Sequence, residues 1–265
     1  MAHEIHPARE RELIGGTMTD IRLKKTALTV GTEFTSDRSL KLLTAGCGLY
    51  ALFTLTDIFM TFLSGGPSLD SAVSGVIAIT LLYLTFRLAQ LPSGPDKDHA
   101  RQAATASIIV FAVMIMAVLL LAVMFYTTYS IVNGLDAKGM AEYGLTQEDV
   151  DRVNGSAFFM IGNMLFSLMQ ALAFLFFFRA LGDVRTMLGG MRPDRNACRP
   201  ASIFAAVTAG LGIAAALLDL TGNSGMVNTA LSVLYDIPCI LLFTAMAFLC
   251  KHTADDVSVL KGAAK

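Results

Sequence analysis

From Ala157 to Phe178 the chain reads AFFMIGNMLFSLMQALAFLFFF, 22 residues without a single charged side chain. A helix of that length covers the roughly 30 Å hydrocarbon core of a bilayer, since each residue advances about 1.5 Å and the helix satisfies its own backbone polar groups. The stretch is therefore expected to span a membrane. Directly after it come Arg179, Arg185, Arg192, Arg195 and Arg199, against only Asp183 and Asp194. Short connections rich in Lys and Arg stay on the cytosolic side, so this one segment sets both an element and its orientation.

Composition extends the argument to the whole chain. Of 265 residues, 54% are hydrophobic and 15% charged, where soluble domains carry roughly 25% charged residues. A polytopic, all-α membrane bundle follows. A net charge of -1 gives no support for nucleic-acid binding. The first 39 residues are polar and lack the continuous apolar core of a signal peptide, so the first span is expected to drive insertion. Cys47, Cys239 and Cys250 lie in apolar runs and Cys198 in the arginine-rich loop, with no CxxC pair among them. They read as buried small hydrophobes rather than as a disulfide framework or zinc site.

Six apolar runs are predicted, at about 41–63, 71–91, 104–131, 157–178, 201–220 and 229–250. Ser64 to Asp70 and Thr221 to Asn228 contain no Lys or Arg, and Val132 to Ser156 holds only Lys138 and Arg152 among five acids. Both termini, the other two connections and the span ends beside them hold the remaining 18 of 20 basic residues. The expected topology is six transmembrane helices with both termini cytosolic. The domains are then a polar N-terminal arm (1–40), a six-helix membrane domain (41–250) and a C-terminal tail (251–265). The arm places Ile14, Met18, Ile21 and Leu28 near helical spacing around basic residues, but Gly15 and Gly16 weaken a helix, and a mostly disordered arm is expected. Thr146, followed by Gln147, Glu148 and Asp149, reads as the start of a short surface helix ending before Asn154 and Gly155.

Polar side chains inside the spans narrow the search for a site. Ile108 to Phe125 in span 3 has none and is able to face lipid all round. Span 1 carries Tyr50, Thr54, Asp57 and Thr61 on one face, span 4 carries Asn163, Ser167 and Gln170, and span 6 carries Ser232, Asp236 and Cys239. Such stripes are expected to face other helices. In span 5, Ser202, Ala206, Gly210 and Ala214 form a seam of small residues suited to close packing. Asp219 ends that span beside a turn, where it reaches water, and Arg87 reads as a residue snorkelling to the interface.

The carboxylates carry the sharpest signal, because an Asp near the bilayer centre costs roughly 2.5–3.5 kcal/mol on insertion scales. Asp57 and Asp236 are each predicted about 9–10 Å below the outer interface, a layer that Asn163 also enters. No Lys, Arg or His lies in the outer half of any span, so the two acids are expected to be protonated, wetted or bound to a cation. Pro238 removes the backbone donor to the Leu234 carbonyl and is expected to kink span 6 beside Asp236. An ion or substrate pocket of Asp57, Asn163, Gln170 and Asp236 is the resulting candidate.

Enzymatic readings have little support. No Ser-His-Asp, Walker or glycine-rich cofactor motif is present, and the four histidines lie outside the spans. The 14 methionines fit core filling better than copper binding. No catalytic residue, cofactor or metal is expected. The sequence points to a small-solute or proton/cation transporter or channel subunit in a bacterial inner membrane, with the lipid bilayer, a proton or cation, and a protein partner or second copy as its partners. The alternative is a sensor, scaffold or assembly partner of a larger complex.

Overall fold

The structure, a computed structural model, describes residues 24–65, 69–93, 96–135, 139, 142, 146–221 and 226–262. Residues 24–36 form α1. They are followed by α2 (Arg38–Gly65), α3 (Leu69–Gln90), α4 (Lys97–Gly134), α5 (Gln147–Leu188), α6 (Cys198–Thr221) and α7 (Met226–Gly262). Among the described residues α2 to α7 are six helices long and apolar enough to cross a membrane. The chain is a multi-pass integral membrane protein built from helices.

The helices outrun the apolar stretches that define them. Asp96 caps α4, accepting from the Asp98 N–H at 3.3 Å, so the helix starts seven residues before the predicted span. α5 begins at Gln147, at the predicted start signal, but it does not stop before Asn154 and Gly155. It runs unbroken for 42 residues into the span. One glycine costs a helix only about 1 kcal/mol, and adding residues to an existing helix needs no new nucleation. Asn133 of α4 and Asn154 of α5 exchange amide hydrogen bonds at 3.1 and 3.3 Å across this section.

Each of α2 to α7 packs against its neighbours in the chain, and α7 returns to pack against α2, which closes a ring. Successive connections alternate between two ends, one marked by the arginine-rich α5–α6 connection, here the basic end. Ring closure depends on a close approach at Gly46. A Cβ there would stand 2.8 Å from the Leu242 Cα and 2.9 Å from its nitrogen, so only glycine lets α2 and α7 come this near.

The core occupies one half of the ring. It includes Leu43 and Cys47 of α2, Leu81 and Leu84 of α3, Phe174 and Phe177 of α5, and Phe243 and Met246 of α7. Apart from Val132 and Val150, every buried described residue lies on the basic-end side of a level marked by Ala51, Ala78, Ala117, Gln170, Gly212 and Pro238. Beyond that level no described face of α2, α3, α5 or α6 is buried, Val150 excepted. Helices around a filled core bury a stripe, and the described residues of these helices beyond that level show none. Within span 3, Val110, Met114 and Ala117 are buried, so that helix does not face lipid all round. Its buried face is apolar like its outer one, which is why polarity could not distinguish them.

The N-terminal segment differs most from expectation. α1 is ordered against the basic end, with Ala27, Val30, Phe34 and Thr35 buried. Gly31 lies close to Leu188 at the end of α5, where a Cβ would meet the Leu188 nitrogen at 3.1 Å. The buried set recurs at three- and four-residue intervals, a short stripe hidden among Lys24, Lys25, Glu33 and the threonines. The part of the arm from Met1 to Leu23, with Ile14, Met18 and Ile21, lies outside the described residues. Phe34→Ala should therefore destabilise the protein by about 3 kcal/mol, read as a lower melting temperature in detergent. A wild-type melting curve for this variant would mean that α1 does not pack.

Asp37 joins α1 to the far end of the chain. Its carboxylate accepts from the Ser39 N–H at 2.7 Å at the start of α2 and meets His252 Nδ1 of α7 at 3.3 Å. Burial pushes the Asp37 carboxyl upward, but the bonds from Ser39 and the His252 ring outweigh it and hold the group below its ordinary value of 3.8. A depressed carboxyl adds stability that is complete above its unfolded pKa and is lost as pH falls through the folded one. Asp37→Asn should thus remove acid sensitivity below about pH 4, by less than about 1 kcal/mol because His252 is largely exposed. Melting temperature against pH for the two proteins measures it, and parallel curves would show that the contact contributes nothing.

Candidate functional site

Where the packed half ends, polar groups from three helices meet. Tyr50 comes from α2, Gln170 from α5, and Asp236 and Cys239 from α7. The Gln170 amide is buried and its Nε2 donates to the Cys239 Sγ at 3.2 Å. The Tyr50 side chain lies close to Gln170, Cys239 and Asp236. Asp236 in turn lies within range of Cys239, one helical turn along α7. Asp236 is half-buried and Pro238 is buried.

Helix geometry explains why these residues share a level. Asp236 and Cys239 are three apart and so lie on one face of α7, with Pro238 between them inside a continuous helix. Proline supplies no N–H, which leaves the Leu234 carbonyl without its normal helical donor. A carboxylate, an amide, a phenol and a carbonyl short of a donor therefore sit close together within the span-forming helices. Such a set can hold a proton or coordinate a hard cation through oxygen.

The residues predicted for the pocket do not all gather here. Gln170 and Asp236 belong to the cluster, and Tyr50 and Cys239 join from the same stripes. Asp57 and Asn163 are both exposed, beyond the level at which the described core residues end. Thr54 turns its hydroxyl back to the Tyr50 carbonyl at 2.8 Å, as threonines in membrane helices commonly do. The side chains of Asp219 and Ser232 lie outside the described residues.

Two other expectations change. Ala206, Gly210 and Ala214 of the span 5 seam are exposed and Ser202 is half-buried, while α6 packs through Ala201, Ala205, Thr208 and Gly212. Both faces of this helix are small, so spacing alone fits either. Arg87 reaches across to α4 and donates to the Gln102 Oε1 at 2.8 Å, with its guanidinium over the Tyr83 ring at 4.9 Å. It ties two helices together besides sitting at a span end. All four cysteines are buried and free, and Cys198 opens α6 instead of lying in a loop.

Comparison with models of protein families, with curated proteins and with solved structures gives no match, so the function is argued from the geometry of the ring and its polar cluster.

Proposed function

We propose that this protein is a proton- or cation-coupled transporter of a small solute, or a channel subunit, in a bacterial inner membrane. What supports the reading is the coincidence of two features: the described core residues end partway along the helices, and Tyr50, Gln170, Asp236 and Cys239 lie at that level. In this reading the half of the ring beyond the described core residues is the route for water from one side, and the packed half beneath it is the seal. Gln170 and Asp236 form the floor of the pocket. Asp57 and Asn163 line the approach above it. The Asp236 carboxylate carries the proton or binds the cation, helped by the carbonyl that Pro238 leaves without a donor.

In this reading both termini and the basic end are cytosolic, so the approach opens outward. A cysteine placed at Lys138, in a background without native cysteines, should react with an impermeant thiol reagent in intact cells, whereas one at Arg192 should not. The reverse labelling would invert the topology and the direction of opening. Ion flux in proteoliposomes across a panel of cations tests the activity itself. Absence of flux with every cation, protons included, would remove transport.

One observation favours a second reading. Ala206, Gly210 and Ala214 present a small-residue face to the outside of the ring, a surface against which another transmembrane helix packs closely. An assembly partner in a larger complex would use that face.

A further inference from the structure

The basic end holds a concavity separate from the polar cluster of α2, α5 and α7. Where α5 turns into α6, a cleft of about 600 Å3 is lined by Phe176, Arg179, Asp183, Arg192, Asp194 and Arg195, with neighbouring residues of the turn. That volume falls within the range of small-molecule sites and exceeds what a single ion needs. Phe176 and Phe178 close the apolar run of α5, so the cleft lies where hydrocarbon gives way to headgroups.

Its cations are partly preorganised. The Arg179 guanidinium stands over the Phe176 ring at 5.6 Å, and Phe176 stacks on Phe204 of α6 at 4.7 Å. An arginine held over a ring keeps its N–H edge free for an acceptor. Arg195 stands exposed on the turn itself. Asp183 is already committed, accepting from the Ala197 N–H at 2.7 Å just before α6. The turn is fixed from behind as well, because Asn196 Nδ2 donates to the Ala254 carbonyl of α7 at 2.8 Å.

Charge selects the ligand. Three arginines against Asp183 and Asp194 leave the lining one positive charge in excess (three minus two). That balance suits a phosphodiester monoanion and disfavours a polyphosphate, whose extra charges would go uncompensated. We propose that this cleft binds a phosphodiester monoanion, as carried by the headgroup of an anionic phospholipid, through Arg179 and Arg195. The same chemistry could arrive on a soluble phosphodiester, which the experiment separates. The site is independent of the transport reading.

Phosphatidylglycerol and phosphatidylcholine, each titrated into the detergent-solubilised protein and followed by native mass spectrometry, test it. Phosphatidylglycerol should bind more tightly. Arg179→Gln and Arg195→Gln should each weaken it about tenfold, the effect of one charge-assisted contact. Arg199→Gln, an exposed arginine outside the cleft, should change it less than about twofold. Arg195→Lys, which keeps the charge but not the forked donor, should fall between, and melting curves check that each variant is folded. Displacement of the lipid by glycerophosphoglycerol, the soluble phosphodiester of the same headgroup, would support the phosphate site and make a soluble ester its ligand; retention of the lipid would support the headgroup. Equal binding of the two lipids would show that the cleft does not select negative charge, and an Arg199→Gln loss matching that of Arg195→Gln would show general surface attraction; either result would overturn the proposal.

Discussion

Gly46→Leu should lower the melting temperature on the order of 10 °C. A side chain there meets backbone. The first carbon alone would stand 2.8 Å from the Leu242 Cα, and an α-carbon in mid-helix cannot rotate aside as a side-chain tip can. α2 and α7 would have to separate, and theirs is the contact that joins the two ends of the ring. Overpacking a tight interface costs roughly 1–3 kcal/mol, and leucine adds more atoms than the smallest such change. Gly210→Leu is the control, since nothing lies within 4 Å of a Cβ at that position. Should both variants melt with the wild type, the two helices are further apart than the structure places them.

Asp236→Asn should abolish proton- or cation-coupled flux in proteoliposomes while leaving the protein folded. Asparagine has nearly the size of aspartate and keeps hydrogen-bonding capacity, but it neither releases a proton nor offers a formal negative charge. The melting temperature should stay level or rise, because a half-buried carboxylate with no Lys, Arg or His in the same half of the spans is costly to desolvate. Cys239→Ala separates the roles within the cluster. It removes the sulfur that accepts from Gln170 but leaves the carboxylate, so flux should persist. Wild-type flux that survives Asp236→Asn unchanged would move the carrier role elsewhere. No wild-type flux with any cation, together with an unchanged or higher melting temperature in the mutant, would leave the assembly reading.

Local chemistry was fully legible in the sequence where the argument depended on length and solvent. Six apolar runs became six long helices because a bilayer demands internal backbone pairing, whatever the runs pack against. The start at Thr146 and the polar stripes of Tyr50, Gln170, Asp236 and Cys239 were visible for the same reason: caps and helical faces are set within a few residues. Small glycine and alanine faces were not decisive. Gly46 and Gly210 look alike in sequence, yet one sits against a backbone and the other against nothing.

By itself, then, the sequence determined the membrane class, the number of spans, the separation of charge between the two ends and the shortlist of polar residues. Only the tertiary structure decided that α7 closes on α2, that α1 packs beneath the ring through Phe34, and that Gln170 and Asp236 share a cluster while Asp57 and Asn163 stand outside it. The physical reason is one of range. Hydropathy and charge act on each segment against its solvent and can be summed along the chain, whereas which faces meet depends on the fit between segments far apart in sequence.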